Sequence, residues 1–139
     1  MPELTRVDLS RYRLEKAEEM LVTAKRDVEA RDYASANNRA YYSIFHGMRA
    51  ILALDGIDFK KHSAVIAQFT QLYLKTEIVP RSFSKVITNA ALIRTKSDYE
   101  DFFICSREDT MRVVEGAESF LGAIKRYLDS AYQSSVAGQ

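Results

Sequence analysis

Between Asn37 and Arg49 the chain reads Asn-Asn-Arg-Ala-Tyr-Tyr-Ser-Ile-Phe-His-Gly-Met-Arg, an apolar helical pattern interrupted by side chains that could do chemistry. Arg39 and His46 are seven positions apart. On an α-helix they return to within about 20° of each other, separated by about 10.5 Å of rise. Tyr42 and Ser43 stand three and four residues after Arg39, and Tyr42 precedes His46 by four, so neighbouring side chains on this face can touch. Histidine titrates near neutral pH and can serve as base or acid. Arginine forks onto phosphate oxygens. Cleaving RNA without a metal needs a base for the ribose 2′-hydroxyl, an acid for the leaving 5′-oxygen, and a cation for the charge that builds on phosphate. One arginine–histidine set per chain is incomplete as an acid–base pair, but a two-fold dimer would bring two sets together.

Other readings of the same residues stay open. An arginine and a histidine on a central helix could anchor the segment Lys96 to Asp101 through Asp98 or Asp101, a network that fixes the fold without catalysis. Tyr41 and Phe45 fall on the apolar side with Ile44 and Met48 and are expected in the core. His62, beside Lys60 and Lys61, is either a solvated turn residue or part of a cationic helix start that attracts phosphate. Asp98-Tyr99-Glu100-Asp101, with Arg94 and Lys96, is either a solvated mixed-charge connection or a docking point. The candidate catalytic residues are therefore Arg39 and His46. The candidate substrate-binding residues are Asn38, Tyr42, Ser43, His62, Arg94 and Lys96. With two histidines, one cysteine, no His-Glu-x-x-His and no glycine-rich phosphate loop, neither a metal site nor a cofactor is expected.

The elements that must position these groups are helical. Five glycines and two prolines in 139 residues leave little punctuation for a many-turned β fold. Leu14, Ala17, Leu21, Ala24 and Val28 recur at three- and four-residue spacings and predict a first helix from about Ser10 to Ala30. Asp32 is a candidate N-cap for a second, central helix over Tyr33 to Leu54, closed by Gly56. A third helix is expected from His62 to Lys75, a fourth from Pro80 to about Arg94, and a last from Ser106 to about Tyr132. Thr95 to Cys105 reads as a connection. The expected whole is one all-α domain over residues 1–139, an up-and-down antiparallel bundle of four to five helices with short disordered ends at about 1–8 and 133–139. Twenty basic and nineteen acidic residues leave a net charge of +1, so global charge does not predict a nucleic-acid binder. A single cysteine, Cys105, rules out an internal disulfide and fits a reducing cytoplasm. Neither a secretory signal nor an apolar run of about 18 residues is visible, so no membrane span is expected.

Three motifs in order, Asn-Arg-Ala-Tyr-Tyr-Ser-Ile-Phe-His at 38–46, Lys-Lys-His-Ser-Ala-Val-Ile at 60–66 and Arg-Thr-Lys-Ser-Asp-Tyr-Glu-Asp-Phe at 94–102, resemble the HEPN superfamily. Within it the small stand-alone bacterial and archaeal HEPN-domain proteins are most similar, over about Arg13 to Tyr127. The resemblance implies a helical bundle that dimerises, and a partnership with a minimal nucleotidyltransferase in a toxin–antitoxin pair. It also implies a metal-independent ribonuclease built on an Arg-x(4–6)-His motif, which Arg39 and His46 satisfy with six residues between them. Some relatives accept AMP on a tyrosine near that motif; Tyr99 is the candidate here. The alternatives are a non-enzymatic nucleotide- or partner-binding module accessory to a nucleotidyltransferase, and a purely structural dimerisation module. The last of these requires Arg39 to be buried and fully paired within its own chain.

Overall fold

The computed structural model describes residues 5–137, with side chains to Ser134. Every regular element in that range is helical. Helix α1 spans Arg6–Glu29, α2 Tyr33–Leu54, α3 His62–Phe69, α4 Phe83–Tyr99 and α5 Arg107–Ala137. A π-helical turn, Thr70–Leu74, continues α3 directly. The expected all-α bundle is what forms.

Local chemistry explains where each helix begins and ends. Thr5 caps α1 through its hydroxyl on the Asp8 amide, and Asp8 returns a bond to the Thr5 amide. This reciprocal box starts α1 at Arg6, four residues before the expected Ser10. Asp32 caps α2 as expected, accepting from the Ser35 amide at 3.3 Å. Gly56 follows the end of α2 with φ of +71°, and the Arg6 guanidinium lies over it so closely that a Cβ would meet Cζ at 2.6 Å. Ser106 Oγ accepts from the Asp109 amide and opens α5.

Two further boundaries differ from expectation. Pro80 lies in a hydrogen-bonded turn, with the Phe83 amide donating to its carbonyl, and α4 starts only at Phe83. At its other end α4 runs to Tyr99, through part of the predicted connection. The Thr95 hydroxyl donates back to the Ala91 carbonyl, and Arg94 pairs with Asp98 one turn on, so both polar residues support the helix. Helix α5 continues to Ala137, five residues beyond the expected end near Tyr132. The expected disordered ends, about 1–8 and 133–139, fall in part on residues 1–4 and 138–139, which lie outside the described residues.

Helix α2 is the hub: α1 packs along its length, and α3, α4 and α5 each pack against it. Ala40, Ile44, Met48, Ile51 and Leu52 are essentially buried, which suits the small and branched residues at these positions. An aromatic layer closes the core under α3 and α4, where the Phe120 ring meets Phe69 and Phe83 edge-on at 5.7 and 5.5 Å between centroids. Ser10 secures the α1–α2–α5 junction by donating to the Ala50 carbonyl at 2.6 Å and pairing with the Tyr132 hydroxyl at 2.7 Å. Among the described residues no helix is long and apolar enough to cross a membrane. Truncation of the fully buried Phe120 to alanine is predicted to lower unfolding free energy by about 3–5 kcal/mol. Chemical denaturation with unchanged m-value is the measurement that checks it.

Candidate functional site

From Ala36 to Ala53 every residue of α2 is buried except Asn38, Arg39, Tyr42, His46 and Arg49. From the adjacent Asn38 and Arg39 the set continues at intervals of three and four through Tyr42, His46 and Arg49, and makes one stripe along the helix. Between Ala36 and Ala53 the central helix of the bundle thus meets solvent along a single line, and that line is entirely polar. Helix α4 flanks it on one side with Arg94, the start of α3 contributes His62, and Arg13 and Lys16 of α1 act on it electrostatically.

At one end Arg39 is exposed, and its guanidinium donates to the neighbouring Asn38 Oδ1 at 3.3 Å. Both side chains line a shallow groove of about 320 Å³ with Ala34, Ser35, Ser97 and Asp98. The bond to Asn38 is the one Arg39 makes within the described residues, which contradicts the buried, fully paired arginine of a purely structural module.

The middle of the stripe is aromatic. Arg94 donates to the Tyr42 hydroxyl at 3.2 Å and lies over the Tyr41 and Tyr42 rings, 5.0 and 5.3 Å from their centroids. Its Nε sits 3.2 Å from Asp98 Oδ2 but is aimed away from it, so this pair is Coulombic rather than hydrogen-bonded. His62 stacks on Phe45 at 4.1 Å and shares a 2.8 Å hydrogen bond between its Nδ1 and the Tyr41 hydroxyl. Burial, with smaller contributions from Arg94 and Arg49, holds the His62 imidazole below the usual histidine range. The solvated-turn reading of His62 is therefore corrected: its ring is half-buried and packed against α2.

His46 stands farther along, half-buried, with ring centroids 5.9 Å from Phe45 and 6.1 Å from Tyr42. Neither ring nitrogen makes a hydrogen bond within the described residues. Its pKa is pushed down to about 4, first by burial and then by the positive charges of Arg49, Lys16 and Arg13 and by His62. Arg13 is 7% exposed, and it reaches the Asp58 carboxylate at 3.2 Å while Arg49 takes the other oxygen at 3.0 Å. The cations that govern His46 are therefore Arg49, Lys16 and Arg13, with Arg39 absent from the set.

Two sequence candidates stand elsewhere. Ser43 is fully buried and donates to the Ala17 carbonyl at 2.8 Å, so it joins α2 to α1 and is removed from the site. Sitting next to Tyr42, it points about 100° away round the helix. Lys96 is half-exposed in the last turn of α4 and makes no side-chain bond within the described residues. Tyr99 ends α4 with 76% of its surface exposed. Arg13, Lys16, Arg49 and Asp58 are the groups that sequence reasoning missed. Arg49 was legible in principle, three residues after His46 on the same face. The other three come from α1 and the α2–α3 loop and are assembled only by packing.

An all-α bundle with a basic, histidine-centred stripe on its central helix is the class that fold and site define. The comparisons with known proteins agree: residues 10–127 match the HEPN domain family. The chain belongs to that family. A UPF0332 protein of Thermotoga maritima is 31% identical over 85% of this chain and 89% of its own length. Two Methanocaldococcus jannaschii proteins named as candidate toxins are 33% and 30% identical, covering 83% and 84% of this chain and 85% and 80% of theirs.

The depressed His46 pKa predicts a pH effect on folding. The unfolded chain takes up a proton near pH 6.5 and the folded one only near 4, so stability is full above about 6.5 and falls as pH drops toward 4. Replacing His46 with glutamine is expected to flatten that part of the curve of melting temperature against pH. An unchanged slope between pH 6.5 and 4 would show that other groups set it.

Proposed function

We propose that this protein is the toxin-like half of a two-component system and that it cleaves RNA, without a metal, along the open stripe of α2. The observation that carries this reading is the stripe itself: between Ala36 and Ala53 the only unburied residues of the central helix are an asparagine, two arginines, a tyrosine and a histidine. An unpaired, half-buried imidazole among guanidinium groups supports a phosphodiester site, and relatives named as candidate toxins support the toxin-like role.

In this reading neutral His46 accepts the proton of the ribose 2′-hydroxyl as its oxygen attacks phosphorus. The bond to the 5′-oxygen breaks, leaving a 2′,3′-cyclic phosphate and a 5′-hydroxyl end. Guanidinium groups of the stripe, Arg39 among them, stabilise the charge on the non-bridging oxygens. Tyr42, held by Arg94, supports the neighbouring nucleotide. Water protonates the leaving 5′-oxygen, because a second His46 brought by a homodimer would be uncharged like the first; the homodimer would instead double the cations along the groove, and a minimal nucleotidyltransferase would act as the neutralising partner.

The second reading is a non-enzymatic nucleotide- or partner-binding module accessory to a nucleotidyltransferase. It is favoured by one observation: Arg39 does not act on His46, so the two motif residues form no compact pair.

Purified protein incubated with RNA in EDTA separates the two. Cleavage is expected, with rates lowered by about 10²–10⁴ in folded His46→Ala and about 10²–10³ in folded Arg39→Ala. A folded, inactive wild type that still binds nucleotide would establish the accessory module instead.

A further inference from the structure

The charges around His46 do not balance. Arg13, Arg49 and Lys16 all act on its ring, and every charge that does so is positive. Asp58 is the one carboxylate whose charge acts on Arg13, and burial together with the nearby Arg49 pushes the Arg13 guanidinium down from its ordinary range. A side chain 7% exposed and another whose buried Nε has no hydrogen-bond partner thus share a single acid. Clustering cations with little water and too few anions is costly unless a further anion completes the site.

The way Asp58 fills the gap is informative. Its Oδ1 takes Arg49 at 3.0 Å and its Oδ2 takes Arg13 at 3.2 Å, one oxygen for each guanidinium. Two non-bridging phosphate oxygens make the same bridge, and they carry a similar charge at a similar spacing. Asp58 belongs to the exposed loop between α2 and α3, and its side chain is 56% exposed. The guanidiniums are held by helices, whereas their counter-ion is held by a loop. Arg13 is fixed further by a 3.3 Å bond to the Arg49 carbonyl, which ties it to α2 whether or not Asp58 is present. Water can solvate the exposed Asp58 carboxylate as it leaves, whereas the buried Arg13 guanidinium needs another anion in its place.

We propose that Arg13 and Arg49 form a phosphate subsite next to His46, and that Asp58 occupies it in the free protein as an internal substitute for a phosphodiester. The subsite takes the non-bridging oxygens of a nucleic-acid phosphate, and Asp58 must leave before substrate is gripped there. This rests on reading the stripe as an RNA site, and it assigns the phosphate grip to residues outside the Arg39–His46 motif. The α2–α3 loop then serves as a built-in restraint on the site.

The test uses two probes, inorganic phosphate and a dinucleoside monophosphate lacking the 2′-hydroxyl, followed through the His46 ring signals by NMR. In Asp58→Asn, which keeps size and removes charge, both probes are expected to bind about tenfold tighter than in wild type. In Arg49→Gln the response of His46 to phosphate is expected to vanish, and that variant tests the subsite even if Asp58→Asn folds poorly. Equal affinity in wild type and folded Asp58→Asn, or a full response in Arg49→Gln, would overturn the proposal. Cleavage of RNA in EDTA is measured on the same samples. Tighter phosphate binding without cleavage keeps the subsite and removes the nuclease; cleavage with no change in phosphate affinity keeps the nuclease and removes the subsite.

Discussion

The constraint on which the structure depends is that α2 must be buried on nearly every side and still keep one line of polar groups in contact with water. Four other helices compete for its surface. Alanines 36, 40, 50 and 53 let neighbours approach, while Ile44, Met48, Ile51 and Leu52 fill the space between them. The polar stripe survives because none of the packed helices lies directly over it; α1, α4 and the start of α3 flank it. Stability and site are therefore set by the same packing. A bundle that closed over the stripe would bury Arg39 and His46 without partners, a far larger penalty than the apolar area gained.

That geometry has an electrical consequence. A half-buried imidazole flanked by guanidinium groups loses its proton well above the acidity at which a solvated histidine would keep it only partly, and it stands ready as a base. Arg94 lies over the Tyr41 and Tyr42 rings and His62 stacks on Phe45, which leaves the middle of the stripe half-buried and partly shielded from water. Exclusion of water strengthens each interaction with a charged ligand laid along the helix. Asp58 tempers this by neutralising part of the excess positive charge while the site is free.

Much of the fold was legible because its signals are local. The three- and four-residue recurrence of apolar side chains, the Asp32 cap and the Gly56 stop place α2 correctly to the residue, and the resemblance of three ordered motifs placed the chain in its family. The errors cluster where polar residues support a helix through their own bonds. Thr5 and Asp8 extend α1, and Thr95, Arg94 and Asp98 extend α4, although each pattern also reads as loop. Within the site, the stripe from Arg39 to His46 was visible as periodicity. Ser43 was not separable from it by spacing alone, because one residue of rotation decides between solvent and the α1 backbone. Arg13, Lys16 and Asp58 lay beyond sequence reasoning, since they approach His46 only after α1 and the α2–α3 loop have packed.

The claim at the centre of this account is that the fold delivers an uncharged imidazole into a basic, partly dry environment on α2. The most direct measurement is the NMR titration of the His46 ring protons in the free wild-type protein. The account predicts a midpoint near about 4, well below that of a solvated histidine. A midpoint near 6.5 would contradict it, showing a histidine that neither burial nor the surrounding cations reach.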